Sequence, residues 1–213
     1  MAEMKTEEEQ VEALKRWWQE NGKSLVLTIA VSIGGVLSWN AYQDHEANQA
    51  ETASVYFQQL MNSAPAGELS ESQIAEVRYN SELLKTEFDA STYAQFGALM
   101  LARVEVQEGD LIGAAAELQW VIEQQGDAEI NALATIRLAK LLGAQGQYDK
   151  ALALLVDGDD AWQLGRLEVR GDLLVAQGEL DAARAAYEKA SVLADANGAS
   201  NPLLGLKLDN LAQ

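Results

Sequence analysis

The sequence predicts an all-α protein with one N-terminal membrane-spanning helix followed by a domain of repeated helix pairs. Residues 25–42 form an 18-residue run without a charged side chain, which is long enough to cross a bilayer. Farther along the chain, a glycine-centred pattern recurs at Gly109, Gly146 and Gly178, as expected of stacked helix pairs. No segment alternates apolar and polar residues for long enough to predict a β-strand.

The uncharged run predicts a transmembrane helix over residues 24–42. Trp18 and Trp39 are 21 positions apart, or roughly 32 Å along one helix at about 1.5 Å per residue. This separation is close to the thickness of the hydrocarbon core, and tryptophan prefers its two interfaces. We therefore expect the interface aromatics to be Trp17, Trp18, Trp39 and Tyr42.

Two alternative interpretations of the run are a cleaved signal peptide and a soluble core helix. A signal peptide ends in small residues in an A-x-A-like pattern, and the residues that follow this run lack them. The leader is also long and acidic, and a core helix seldom has aromatic flanks of this kind. We favour an uncleaved anchor.

The distribution of basic residues predicts the orientation of the anchor. Lys5, Lys15, Arg16 and Lys23 precede the run, and the next basic residue is Arg78. Because basic residues are retained on the cytoplasmic side, the N-terminus is expected inside and the rest of the chain outside.

Small residues at intervals of four indicate a packing face on the anchor. Ala30, Gly34 and Ser38 lie on one side of the predicted helix, where they would let a second transmembrane helix approach closely.

The segments on either side of the anchor are also expected to be helical. Residues 1–23 contain an amphipathic pattern that ends at Asn21 and Gly22, a plausible helix stop. Residues 43–69 are predicted as a juxtamembrane helix and linker, ending in the "APAG" stretch. Ser70 is a suitable N-cap for the next helix, so the repeat domain is assigned to residues 70–213.

The repeat places small and large residues at fixed distances from each glycine. Five positions after the glycines stand Ala114, Ala151 and Ala183, and nine positions after them stand Leu118, Leu155 and Tyr187. A glycine in the turn allows a left-handed backbone, small residues allow close helix packing, and large residues at two and nine positions fill the layer between repeats. The pattern resembles the tetratricopeptide repeat, although its early tryptophan and closing proline are missing; an unrelated helical bundle is the alternative. The leucine-rich C-terminal segment is expected to form a capping helix over the last repeat.

The first helix of each repeat usually lines the concave binding surface of such a domain. Projecting this register onto the sequence gives a candidate binding face of Phe96, Leu99, Arg103, Ile136, Lys140, Glu168 and Asp172.

Composition argues against catalysis and against nucleic acid as a partner. The net charge is −18, and residues 43–213 hold 27 acidic and 11 basic residues, so phosphate backbones would be repelled. There is no cysteine, and the single histidine, His45, lies beside the anchor. The stretch from Asp157 to Glu168 spaces some of its acids like a calcium loop but places Ala161 and Trp162 where oxygen ligands and a glycine turn are needed. We predict a non-enzymatic protein with no cofactor, metal or catalytic residue.

Taken over its whole length, the chain resembles the YfgM family of ancillary Sec translocon subunits of Gram-negative bacteria. The resemblance rests on "QVEALKRWWQENGK" before the anchor, "STYAQFGALMLARVEVQEGDLIGAAAEL" in the repeats and "LKLDNL" near the end. It implies a single-pass inner-membrane protein with a cytoplasmic N-terminus and a periplasmic repeat domain. The implied partners are the SecYEG translocon, a PpiD-like periplasmic chaperone and nascent secreted polypeptides.

Two other roles stay open at the level of sequence. One is an envelope adaptor for a division or cell-wall assembly complex, which would use the same repeat architecture. The other, also implied by the resemblance, is restraint of a cytosolic stress-response regulator.

Overall fold

The computed structural model describes residues 7–65, 67–158, 160–198 and 201–211, without the side chains of residues 7 and 8. The first six residues of the predicted N-terminal segment lie outside this range. Contacts divide the chain into two units, Met1–Glu51 and Thr52–Gln213. The described residues form only helices: α1 Glu7–Ser63, α2 Glu71–Glu87, α3 Thr92–Glu108, α4 Leu111–Glu123, α5 Ala128–Ala144, α6 Tyr148–Leu154, α7 Gln163–Gln177, α8 Leu180–Ala196 and α9 Pro202–Asn210.

The first unit consists of the N-terminal part of α1. The helix runs through Asn21 and Gly22, so the predicted helix stop there is wrong. Asn21 uses its side chain inside the helix, where Nδ2 donates to the carbonyl oxygen of Trp17 at 3.1 Å. Gly22 is covered by the indole of Trp18, which a Cβ at this position would meet at 3.1 Å. These local contacts help offset the helix penalty of glycine, which is about 1 kcal/mol.

The second unit begins with the last turns of α1 and continues into α2. Ala53 and Leu60 are buried with Leu84 of α2 and Ala94 of α3. The predicted N-cap is confirmed, because Ser70 caps α2 in a reciprocal capping box with Gln73. This arrangement satisfies backbone groups that would otherwise lack partners at the helix start.

Three helix pairs follow, namely α3 with α4, α5 with α6, and α7 with α8. The predicted turns are confirmed, because Gly109, Gly146 and Gly178 have φ values of 82°, 74° and 88°. A side chain is strained in this left-handed region, which explains the recurring glycine. Each alanine five positions after its glycine is fully buried.

The repeat is less regular at its second and third units than the sequence suggested. The helix α6 has seven residues, whereas α4 has 13 and α8 has 17. Leu180 was expected to fill a layer between repeats, but it is 49% exposed. Leu204 of α9 packs in one cluster with Tyr187, and both are buried, whereas Leu180 is left uncovered. The expected capping helix is therefore present, but it covers only part of the last pair.

Candidate functional site

The candidate site lies on the surface formed by the first helices of the three pairs, α3, α5 and α7. We call this surface the first-helix face. It contains an apolar cleft at the N-terminal ends of these helices and a cluster of basic side chains farther along α3 and α5. The cleft and the basic cluster adjoin each other along α3 and α5, because residues seven positions apart lie on the same side of a helix.

The apolar cleft has a volume of about 320 Å³. Its lining includes Phe96 of α3, Ile130 and Leu133 of α5, and Trp162 at the start of α7. Phe96 is 39% exposed, and its ring lies 5.9 Å from that of Phe57, so it is supported from behind by the last turns of α1. A partly open aromatic side chain with rigid support suits the capture of an apolar side chain.

The mouth of the cleft at the start of α5 is acidic. Asp127 is the N-cap of α5 and accepts hydrogen bonds from the backbone nitrogens of Glu129 and Ile130 at 2.8 and 3.1 Å. These two hydrogen bonds fix the start of α5, which carries Ile130. They also hold the carboxylate at the positive end of the helix, where it is stabilised.

The basic cluster consists of Arg103, Arg137 and Lys140, which are all exposed residues. Arg103 donates from Nη2 to the backbone oxygen of Ala64 at 3.3 Å, which directs its guanidinium toward the segment between α1 and α2. Partial burial of the guanidinium lowers the pKa of Arg137, and the nearby charge of Arg103 lowers it further. Arg103 and Arg137 stand seven positions after Phe96 and Ile130, which both line the cleft, so the helix period places the two cations on the same sides of α3 and α5 as the cleft.

Four of the seven residues predicted for the binding face do not have free side chains on it. Leu99 and Ile136 are each 6% exposed and belong to the core. Glu168 accepts a hydrogen bond from Asn201, next to α9. Asp172 accepts from Tyr187 at 2.7 Å and from Lys207 at 2.6 Å. Phe96, Arg103 and Lys140 have exposed side chains on the first-helix face, and their role in binding stays a prediction.

The sequence did not single out Leu133, Arg137 and Trp162, nor Ile130, which is 7% exposed like the core residues above but lines the cleft. A signal for three of them exists in the sequence, because Ile130, Leu133 and Arg137 follow the spacing of one helix face and lead to the predicted Lys140. The choice of Ile136 was one position out of register. Trp162 carried no such signal, because it reaches the cleft from a loop.

The predicted packing face of the anchor is open in the first unit. Ala30, Gly34 and Ser38 are exposed, and a Cβ placed on Gly34 would meet nothing within 4 Å. On an adjoining face, Thr28 and Ser32 donate their hydroxyl groups to carbonyl oxygens four residues earlier, each at 2.8 Å. These hydroxyls need no external partner, as expected inside a bilayer.

The predicted interface aromatics are exposed near both ends of the apolar run. The exposed fractions are 47% for Trp17, 54% for Trp18, 61% for Trp39 and 56% for Tyr42. The rings of Trp39 and Tyr42 lie 6.2 Å apart. Among the residues that the structure describes, α1 is the one helix long and apolar enough to cross a membrane, and its apolar window is not buried.

The acidic loop between α6 and α7 is bound by arginines of α7. Asp157 pairs with Arg170 at 2.8 Å, and Asp160 pairs with Arg166 at 2.7 Å. These arginines contribute to lowering the pKa values of both aspartates, and the first cause for Asp157 is a hydrogen bond from Gln163. Asp159 lies outside the described residues. The described carboxylates thus serve to hold the loop on α7.

The fold and the sequence place the chain in a known class. Residues 15–213 match the profile of the tetratricopeptide repeat-like domain. Two crystal structures of nearly identical TPR-like repeats from Podosopora anserina superpose with TM-scores of 0.54 and 0.53, over 78% of this chain and 84% of theirs. Their sequence identity is 17%, so this similarity concerns the fold alone. The chain is a tetratricopeptide repeat-like protein.

Full-length relatives define the family more narrowly. The ancillary SecYEG translocon subunit of Escherichia coli strain K12 is 30% identical over 208 residues, which cover 97% of each chain. The protein of that name from Haemophilus influenzae is 29% identical over 96% of this chain and 97% of its own. The one from Neisseria gonorrhoeae is 30% identical over 99% of this chain and all of its own. The chain belongs to the family of ancillary SecYEG translocon subunits.

Proposed function

We propose that the protein is a non-enzymatic scaffold of the bacterial inner membrane that associates with the SecYEG translocon. Residues 24–42 span the membrane, residues 1–23 lie in the cytoplasm, and the repeat domain from residue 70 onward lies in the periplasm. There it helps to pass translocated polypeptides to a PpiD-like chaperone.

The observation that carries this proposal is the combination of an exposed apolar run with full-length similarity to translocon subunits. The relatives are similar over the anchor as well as the repeats, because the aligned regions cover 97% of this chain. The repeat domain supplies a surface for binding rather than a catalytic centre. Its cleft is lined mainly by apolar side chains, and His45 lies outside it in α1.

The membrane part of the proposal assigns the translocon contact to the small-residue face of α1. Gly34 offers an open surface, and close approach of helices in lipid depends on such surfaces. Gly35 is equally open but is turned by about 100° around the helix, given 3.6 residues per turn. The two glycines therefore form a matched pair for substitution.

The test is co-purification of SecYEG with full-length Gly34→Leu and Gly35→Leu variants from membranes. Forcing a bulky side chain into a close contact costs about 1–3 kcal/mol, so we expect recovery with Gly34→Leu to fall roughly fivefold or more. Recovery with Gly35→Leu should match that of the unsubstituted protein. Equal recovery with both variants would remove this face from the proposed contact.

A further inference from the structure

The basic cluster stands out among the arginines of a strongly acidic repeat domain. Residues 43–213 contain 27 acidic and 11 basic residues, so carboxylates are available to pair with most cations. Arg78, Arg166, Arg170 and Arg184 all form ion pairs. Within the described part of the second unit, Arg103 and Arg137 form no ion pair with any carboxylate.

The surroundings of Arg137 also disfavour its charged form. The pKa of Arg137 is lowered first by burial and then by the charge of Arg103, and no carboxylate raises it. Leaving two neighbouring cations without an anion costs free energy in the unbound protein, and an incoming carboxylate would recover it. Guanidinium is well suited to this role, because its planar donors bind carboxylates in a bidentate manner.

The distance between the cleft and the cations matches an extended peptide. Ile130 and Arg137 are seven residues apart on α5, which is about 10.5 Å along the helix. An extended chain rises about 3.3 Å per residue, so about three residues cover this distance. Asp127 and Glu129 line the cleft at the start of α5, away from Arg137. They would repel an acidic residue there and so favour a single register of the bound peptide.

We infer that the first-helix face binds an extended polypeptide segment in which a large apolar side chain fills the Phe96 cleft and an aspartate or glutamate about three residues away binds Arg103 and Arg137. This inference rests on the proposed function and names the class of polypeptide that the repeat domain accepts. The acid belongs to an internal side chain, because a polypeptide leaving a translocon presents internal segments before its C-terminus.

The test measures binding of fluorescein-labelled peptides to the full-length protein in detergent by fluorescence anisotropy. The first peptide is acetylated and amidated, and carries one leucine and one glutamate about three residues apart in a serine and glycine background. The second has glutamine in place of the glutamate. Because a charge-assisted hydrogen bond is about twice as strong as a neutral one, we expect roughly tenfold tighter binding of the glutamate peptide.

Substitution of Arg137 tests the assignment of the carboxylate site. Arg137→Gln should bind both peptides with the affinity that the unsubstituted protein has for the glutamine peptide. Arg137→Glu should prefer a peptide with lysine in place of the glutamate. Lys150→Gln is the matched control, because Lys150 lies on α6 and does not line the cleft, and its substitution removes the same charge. Phe96→Ala should weaken the binding of both peptides.

Three results would overturn the inference. They are equal affinity of the unsubstituted protein for the glutamate and glutamine peptides, an unchanged preference in Arg137→Gln, and tight binding confined to a peptide with a free C-terminal carboxylate.

Recovery of SecYEG with Arg137→Gln separates this inference from the proposed function. If the peptide preference is absent and SecYEG is still recovered, only the inference fails; if SecYEG is not recovered even with the unsubstituted protein, the proposed function fails.

Discussion

At the scale of single residues, close helix packing in the repeats depends on small side chains seven positions before each turn glycine. Ala102 and Ala139 occupy this position in the first two pairs, and Gly171 occupies it in the third. A Cβ on Gly171 would lie 2.2 to 2.8 Å from three ring atoms of Tyr187. Tyr187 is 3% exposed and donates its hydroxyl group to Asp172, so the ring has little freedom to move.

We predict that Gly171→Ala destabilises the repeat domain by about 1–3 kcal/mol, the usual cost of overpacking a core. Gly165→Ala on the same helix is the control, because its added Cβ would be in ordinary contact with Ile136 at 3.5 Å. This control should be neutral or stabilising by up to about 1 kcal/mol, since alanine is a better helix former. The measurement is chemical denaturation of the full-length protein followed by circular dichroism; equal stability of the two variants would contradict the packing argument.

At the scale of helices, α2 and α4 are joined by a largely buried ion pair. Lys85 and Glu117 lie 2.9 Å apart, and their side chains are 12% and 14% exposed. Oε2 of Glu117 is buried without a hydrogen-bond partner among the described residues. Burial raises the pKa of Glu117, and Lys85 partly opposes this rise. The ammonium group of Lys85 also lies 5.8 Å from the centre of the Trp120 ring.

We predict that Lys85→Met makes stability fall as the pH rises. Without Lys85, the folded-state pKa of Glu117 should rise farther above its unfolded value of about 4.3. The carboxyl group is then neutral in both states below about pH 4, and its ionisation at higher pH favours the unfolded state. At pH 7 we expect a loss of about 1–3 kcal/mol.

The control for this prediction is the double variant Lys85→Met with Glu117→Gln, in which the added pH dependence should disappear. Denaturation curves near pH 4 and pH 7 provide the measurement. A destabilisation of equal size at both pH values would mean that lost packing of the Lys85 side chain, rather than charge, is responsible.

Several helices could be predicted from sequence because their signals are local. The turn glycines and the Ser70 cap each depend on a few neighbouring residues, and all are present. The continuity of α1 through Gly22 could not be predicted, because it depends on where the Trp18 ring lies. Likewise, Glu168 and Asp172 follow the register of an exposed face, but α8, α9 and the Asn201 cap occupy them through tertiary contacts.

At the scale of the whole molecule, each unit has an exposed feature to which the proposed function assigns a partner. The first unit has an apolar helix whose surface is open along the predicted span. The second has a cleft of about 320 Å³ beside unpaired cations. In the proposed function, the first feature holds the protein at the translocon and the second contacts polypeptides in the periplasm.

The most direct test of this account is photo-crosslinking in intact bacterial cells, with a photoreactive amino acid placed at Gly34 in one variant and at Phe96 in another. Both side chains would project from exposed positions, and the crosslinked proteins are identified by mass spectrometry. We expect SecYEG subunits from Gly34 and a periplasmic chaperone or secreted polypeptides from Phe96. Recovery of only division or cell-wall proteins, or of cytosolic proteins from Phe96, would contradict it.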